Sequence, residues 1–387
     1  MPSVSPFVGL LFDPQRVGPL ELVTAPPYDV VGPDQGRRLH ATSPHNVVRL
    51  ILGRDEPGDD DALNKYTRAA SALREWEDEG ILVRTPQPAW FPYRMRFQFQ
   101  GQERTVRGLI CQVALEPWGG SIVPHEQTFP APFADRLALL RAVRTNLSPV
   151  YALFRGPCEP LRQLLAEVEQ HAPDAEVIDE DGVDHMLWAV EGHTDDIPAW
   201  LRDEELLIAD GHHRYSVALA FREEMRALQG QGPWDHMMML LVDAAAEDPP
   251  VLPIHRVLLE GSPPLDGTAV RDLAEVLATL QDDRLTYGIA AREDGDVTHR
   301  VAVLKGDPPT VHALHEQVLA DSPLRFVADA AVAEELVRSG DGVAAFLLPP
   351  TRVDRIRTVI ERGDRLPQKS TYFWPKPRTG LVMRPMD

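Results

Sequence analysis

"LLIADGHHRYSVALAF", residues 206–221, decides how the chain is read. Leu206, Leu207, Ile208 and Ala209 form a short apolar run of the strand type. Asp210 and Gly211 make a turn, and from Tyr215 onward Ala218, Phe221, Met225 and Leu228 recur at helical spacing. The stretch therefore reads as a strand-to-helix junction with Asp210 to Arg214 at the crossing. The start of a helix exposes backbone N–H groups and carries a partial positive charge. Gly211 permits close approach to the backbone, and Arg214 brings a fixed fork of donors that suits phosphate oxygens. His212 and His213 are donors or proton carriers. Asp210 either caps the helix or holds Mg²⁺ beside a phosphate. Together these residues form a candidate phosphate cradle. Each also has a plainer account: a cap, a satisfied imidazole, a salt bridge. Zinc is disfavoured, because adjacent histidines rarely converge on one ion and no HExxH or CxxC spacing accompanies them.

Outward from this stretch, the 387 residues fit two or three domains. Boundaries are expected near 155, at "FRGPCEP", and near 262, at "SPPLDG". They divide the chain into 1–155, 156–262 and 263–387. An amphipathic helix is expected over 60–79, where Leu63, Tyr66, Ala70, Leu73 and Trp76 share a face. "YRMRFQFQ", Gly101 and "TVRGLICQVAL" read as a hairpin. Helices are expected over 136–144 and 160–170, within 267–281, and near 326–338 and 352–362. "HMMMLLVDA" and "GVAAFLLPP" read as buried strands, with further strands near 284–290 and 299–304. This mixture places the chain in the α/β (mixed α+β) class. No internal repeat is seen.

The net charge of −20 argues against general nucleic-acid binding, which needs a basic face, and against docking on an anionic membrane. No apolar run approaches the ~20 residues of a membrane span. The start "MPSVSPFVGLLFDP" lacks the pattern of a signal peptide. The two cysteines, Cys111 and Cys158, form no metal motif, so a cytoplasmic location is expected. Composition leaves the oligomeric state open.

Other segments offer site residues. "VPHEQTFPAPFADR" holds His125, Glu126, Thr128, Asp135 and Arg136. Glu126 is a candidate general base or Mg²⁺ ligand, with His125 in support. Asp135 and Arg136 read better as anchors of the following helix. Arg256, in "LPIHRVL", lies inside an apolar run and calls for an anionic partner, while His255 reads as a satisfied core imidazole. "QKSTYFWPK" supplies Lys369, Ser370, Thr371 and Lys376 as phosphate-binding candidates. It is similar to the end of a Walker A loop, but the preceding glycines are absent, which rejects a P-loop. "APPYD" is either a rigid turn or a device that brings Asp29 to a cleft.

"ADGHHRYSVALA" resembles the Gly-x-x-Arg phosphate-binding motif of the ParB/sulfiredoxin-like superfamily, in the form seen in ParB-like free serine kinases. Over nearly its full length, through "APPYDVV", "HEQT", "ADGHHRY", "PIHRVL" and "KSTYFWPK", the chain resembles the DUF1015 family of bacterial and archaeal proteins. The first resemblance implies a ParB/sulfiredoxin-like phosphate-binding core with α/β elaborations, and nucleotide handling. The leading expectation is phosphoryl transfer from ATP or ADP, with Mg²⁺, to a small hydroxyl-bearing metabolite, serine first. The alternatives are a phosphomonoester hydrolase, for example a phosphoserine phosphatase, and a non-enzymatic nucleotide-gated regulator. Sulfiredoxin-like reduction needs a cysteine beside the motif's arginine, where this chain has His213.

Overall fold

A computed structural model describes the chain apart from residues 127–130, 193–195, 294 and 321 and the side chains of residues 131 and 132. The fold is mixed α/β, as expected. It divides into two compact units. The first comprises Met1–Pro124, Phe129–Pro249 and Pro375–Asp387; the second comprises His125–Thr128 and Pro250–Trp374.

The first unit is built on a ten-stranded sheet. In chain order its strands are β1 (Val4–Ser5), β2 (Ala89–Phe99), β3 (Gln102–Ala114), β4 (Ile122–Pro124) and β5 (Val150–Phe154). They continue with β6 (Ala175–Ile178), β7 (Asp184–Leu187), β8 (Val190–Glu191), β9 (Leu206–Asp210) and β10 (His236–Asp243). The spatial order is β4-β9-β5-β10-β3-β2-β7-β6, with β1 on β3 and β8 on β2. The β4/β9 and β5/β10 pairs are parallel and the others antiparallel. The expected hairpin is β2–β3. Its two turn residues, Gln100 and Gly101, have φ of 52° and 76°, the left-handed pair that a two-residue hairpin loop needs. The apolar run of β10 lies between β5 and β3, which explains why all but its first residue are buried.

Four helices of this unit matter here: α1 (Lys65–Asp78), α2 (Ala131–Val143), α3 (Glu159–Val168) and α4 (His212–Gln229). Leu161, Leu164, Leu165 and Val168 of α3 join Tyr215 and Ala218 of α4 and the strand side chains in one core. Leu137 and Leu140 of α2 meet Val217, Phe221 and Met225 of α4 in a second cluster. Helix α1 starts later than its periodicity suggests. Asp60 accepts the Ala62 and Leu63 amides, and Asn64 caps the helix in a capping box with Thr67. Leu63 thus lies outside the helix and is 59% exposed. Leu228, expected on the apolar face of α4, is 77% exposed near the helix end. Among the described residues no helix is long and apolar enough to cross a membrane.

The second unit carries a two-stranded and a six-stranded antiparallel sheet. Its strands are β11 (Val251–Pro253), β12 (His255–Leu258), β13 (Thr268–Val270), β14 (Thr286–Glu293), β15 (Asp296–Val303), β16 (Leu324–Val327), β17 (Ala344–Leu347) and β18 (Thr371–Phe373). The larger sheet runs β13-β15-β14-β17-β12-β16, and β11 pairs with β18. Helices α5 (Leu273–Thr279) and α6 (Ala330–Ser339) pack on the core residues Val257, Ala290 and Ala345, and α7 (Val353–Glu361) follows β17. Two expected helices are shorter than their sequence windows. Residues 268–270 and 324–327 pair as strands, and Asp272 and Asp329 then cap α5 and α6.

Candidate functional site

Strand β9 delivers Asp210, and α4 begins two residues later. Gly211 forms the corner in a left-handed conformation, φ 97° and ψ 25°. The left-handed φ favours glycine, and a Cβ there would stand 3.0 Å from the Arg214 guanidinium, which would have to give by a few tenths of an ångström. Being glycine, the N-cap has no side chain to close the helix end. His212 is buried in the first turn and His213 is half-buried.

Arg214 donates to Asp210 Oδ2 at 2.5 Å, to Ser148 Oγ at 3.0 Å and to the Pro149 carbonyl. Its side chain is 10% exposed, and its buried Nε has no hydrogen-bond partner among the described residues. The other Asp210 oxygen, Oδ1, receives Lys376 Nζ at 2.7 Å, and the same ammonium reaches Asp29 Oδ2 at 2.6 Å. Asp29, Lys376, Asp210 and Arg214 thus form a chain of alternating charges. Burial alone would raise the Asp210 carboxyl, but the Lys376 and Arg214 cations outweigh it and hold the group well below the usual carboxylate range. Burial likewise opposes charge on Lys376, yet Asp210 and Asp29 hold its ammonium above the ordinary lysine value. Lys376 arrives on residues 375–387, which are tied down by the Arg378 amide to Tyr93 Oη at 3.0 Å and by paired amide–carbonyl bonds between Ala25 and Thr379.

A cavity of about 70 Å³ adjoins this chain. Tyr28, Arg136, Ser148 and Arg214 give it a polar side, and Leu140 and Val217 are among its apolar wall. The Arg136 guanidinium lies 4.4 Å from the Tyr28 ring centroid. It is held by Asp135 and by the Ile51 carbonyl at 2.6 Å. Asp135 also accepts Tyr66 Oη at 2.8 Å, tying α2 to α1. Asp135 and Arg136 therefore act as anchors from within α2 and do not precede the helix. Burial raises the Tyr28 phenol, Arg214 opposing and Asp29 adding to the rise.

In the second unit, His125 is fully buried, with Nε2 2.6 Å from Thr371 Oγ1 and 3.1 Å from Glu126 Oε1. Its ring meets Phe373 edge-on at 5.8 Å. Glu126 accepts the Lys369 amide at 2.6 Å and Thr371 Oγ1 at 3.2 Å. Lys369 is left-handed, φ 53°, and the Ser370 hydroxyl donates to the Pro367 carbonyl. The main chain at Lys369 and the hydroxyls of Ser370 and Thr371 thus serve to fasten this loop. Gln127 and Thr128 of the "HEQT" segment lie outside the described residues.

Arg256 modifies an expectation. It is 0% exposed, and its hydrogen bonds among the described residues include main-chain oxygens of Ile254, Lys369 (2.9 Å) and Gln368 (3.3 Å) and the His315 ring at 3.0 Å. Burial pushes its pKa down to about 9, with Glu126 acting the other way. Its role in this arrangement is to gather carbonyls, which explains an arginine inside an apolar run. His255 is the satisfied core imidazole expected: Nδ1 accepts the Leu348 amide at 3.1 Å.

Asp210 and Glu126, the Mg²⁺ candidates from sequence, both meet protein groups in this arrangement. Both Asp210 oxygens already face a cation, and both Glu126 oxygens accept protein donors. Among the described residues no group of three or more His, Cys, Asp or Glu side chains is placed to hold a metal ion. The expected residues thus separate into two sets. Asp29, Asp210, Gly211, His212, His213 and Arg214 lie in the first unit; His125, Glu126, Arg256, Lys369, Ser370 and Thr371 lie in the second. Sequence reasoning missed the joining of Asp29 to Asp210 through Lys376. The one available signal was a lysine fixed between two prolines in "WPKP".

Comparison with solved structures finds a free serine kinase in complex with AMP at a TM-score of 0.36 and 12% identity, covering 65% of this chain and 83% of that one. A conserved hypothetical protein from Pyrococcus furiosus matches at 0.33 and 13%, covering 65% and 86%. SbnI with a C-terminal truncation, from Staphylococcus aureus, matches at 0.33 and 11%, covering 69% and 84%. At such TM-scores the likeness carries no argument. No curated protein matches the sequence. The family model described as "Protein of unknown function (DUF1015)" matches residues 4–289, and the chain belongs to that family.

Proposed function

We propose that the protein is a nucleotide-dependent phosphotransferase acting on a small hydroxyl-bearing metabolite, and that its first unit holds the phosphate-bearing ligand, ATP or ADP, at the Gly211–Arg214 turn. The observation that carries this reading is the Arg214 guanidinium. It lies buried at the start of an eighteen-residue helix, lines a cavity, and keeps one donor, Nε, without a partner among the described residues. A buried unpaired donor is costly unless a ligand completes it. A phosphate oxygen fits, because the guanidinium and the helix start both favour negative charge there. The resemblance of residues 209–220 to the Gly-x-x-Arg phosphate-binding motif supports the same reading.

In the transfer, the acceptor hydroxyl gives up its proton to an imidazole of the His212–His213 pair. Its oxygen bonds to the terminal phosphorus, and the bond to the bridging oxygen breaks, leaving the nucleotide one phosphate shorter. Arg214 stabilises the charge on the transferring group.

The test is a thermal-shift and calorimetric comparison of wild type, Arg214→Ala and Arg214→Lys with ATP, ADP, AMP, pyrophosphate, serine and phosphoserine. A nucleotide at a hundredfold excess over its Kd stabilises the wild type by about 2.7 kcal/mol. The Ala variant loses that stabilisation, and a phosphorylated product appears by ³¹P NMR with wild type alone. Stabilisation by phosphoserine and by no nucleotide would replace this reading with a hydrolase, and no stabilisation by any of these ligands would end it.

A further inference from the structure

The Asp29–Lys376–Asp210 arrangement has the layout of a two-carboxylate cation site. One oxygen from each acid converges on a single point, and that point is the Lys376 nitrogen, 2.6 Å from Asp29 Oδ2 and 2.7 Å from Asp210 Oδ1. The acids come from segments far apart in sequence, and the lysine from a third. The Lys376 side chain is 8% exposed, Asp210 14% and Asp29 22%, so water screens the group poorly. Two carboxylates held this close in such surroundings repel unless a cation lies between them.

We propose that Lys376 is that cation: its tethered ammonium occupies the place a divalent metal ion would take between Asp29 and Asp210, and holds Asp210 so that its second oxygen faces Arg214. Lys376 is then a positioning residue for Arg214. The inference goes beyond the phosphate reading and does not depend on which ligand the site takes. Its chemistry differs from that of a metal site in a definite way. An ammonium offers three donors at hydrogen-bond length and accepts a coordination of two carboxylates. Mg²⁺ demands about six oxygens at about 2.0–2.1 Å and usually retains several waters. The Pro375–Asp387 segment supplies the tether, since the Arg378 amide is bound to Tyr93 Oη and Thr379 is paired with Ala25 on either side of their amide bonds.

The experiment uses the full chain as wild type, Lys376→Ala, Lys376→Met, Asp210→Asn and the double variant Lys376→Ala/Asp210→Asn. Mn²⁺ is titrated into each, and free Mn²⁺ is followed by electron paramagnetic resonance. In parallel, Tm is measured with and without methylammonium chloride, against sodium chloride at equal ionic strength. The expected result is that wild type shows no Mn²⁺ site that Asp210→Asn removes. Lys376→Ala gains one such site, the double variant lacks it, and methylammonium raises the Tm of Lys376→Ala by more than it raises that of wild type. A purely space-filling lysine would leave Lys376→Met indistinguishable from wild type in all these readouts, which overturns the proposal. An Asp210-dependent Mn²⁺ site in the wild type also overturns it. Should the single variants fail to fold, recovery of folding by Mn²⁺ or methylammonium supports the proposal, and failure of both to restore it counts against it.

Discussion

Acidification is expected to weaken the second unit, and the share of one imidazole, His255, can be isolated. His255 is 2% exposed, and its Nδ1 accepts the Leu348 amide, which leaves no room for a proton on that nitrogen. Burial first, and the Arg256 guanidinium second, push its pKa from 6.5 down to about 4, with Asp329 opposing. The unfolded chain therefore binds more protons than the folded one across this interval. The contribution is intact above pH 6.5 and declines as the pH falls toward 4. At pH 5 the loss from this one group is about 2 kcal/mol, taking about 1.4 kcal/mol per pKa unit. Urea denaturation of wild type and His255→Asn at pH 7.5, 6 and 5 measures it, with hydrogen exchange of the Leu348 segment, corrected for intrinsic rate, reporting on the second unit. The asparagine Oδ1 takes the place of Nδ1 as acceptor but does not titrate. His315, also pushed to about 4 by burial and Arg256, is common to both proteins and cancels to first order. Wild type should lose about 2 kcal/mol more than the variant between pH 7.5 and 5. Equal pH slopes, or a His255 titration by NMR with its midpoint at or above 6.5, would refute the reasoning.

Gly211→Ala forces a left-handed alanine and sets its Cβ against Arg214, so it should cost about 1–2 kcal/mol and lower ligand affinity together; unchanged affinity in calorimetry would count against the turn as a site. Asp243 is 3% exposed and accepts three amides, from Cys158 at 2.9 Å, Ala245 at 3.0 Å and Ala246 at 3.1 Å. Asp243→Ala should cost about 2–4 kcal/mol in denaturation, and Asp243→Asn less. Asn64→Ala removes the capping box of α1 and should cost about 1 kcal/mol, with ligand binding unaffected by calorimetry.

The parts of the fold that were legible in sequence are those set by neighbours along the chain. Gly101 marks the hairpin because the turn itself needs positive φ, and the run of β10 is apolar because both neighbours bury it. Asp210, Gly211 and the helix after them are a local pattern too, and so stood out. Lys369, Ser370 and Thr371 looked like ligand groups because their polarity is visible and their partners are not. Glu126, more than two hundred residues away, claims the Lys369 amide and the Thr371 hydroxyl. Arg256 misled for a related reason: an apolar context signals a need for partners, but not that carbonyls will meet it. The pairing of Asp29 with Asp210 depends on a third segment returning from far along the chain, and no local periodicity encodes such closure.

That return has a consequence for biosynthesis. Residues 375–387 belong to the first unit, yet the ribosome makes the whole Pro250–Trp374 stretch before them. At about 5–20 residues per second, this imposes a wait on the order of ten seconds. During it, Asp29 and Asp210 exist without their lysine. Through that interval Asp210 keeps Arg214 as its counter-charge and Asp29 lacks its ammonium partner, until docking of residues 375–387 supplies the cation the two acids share.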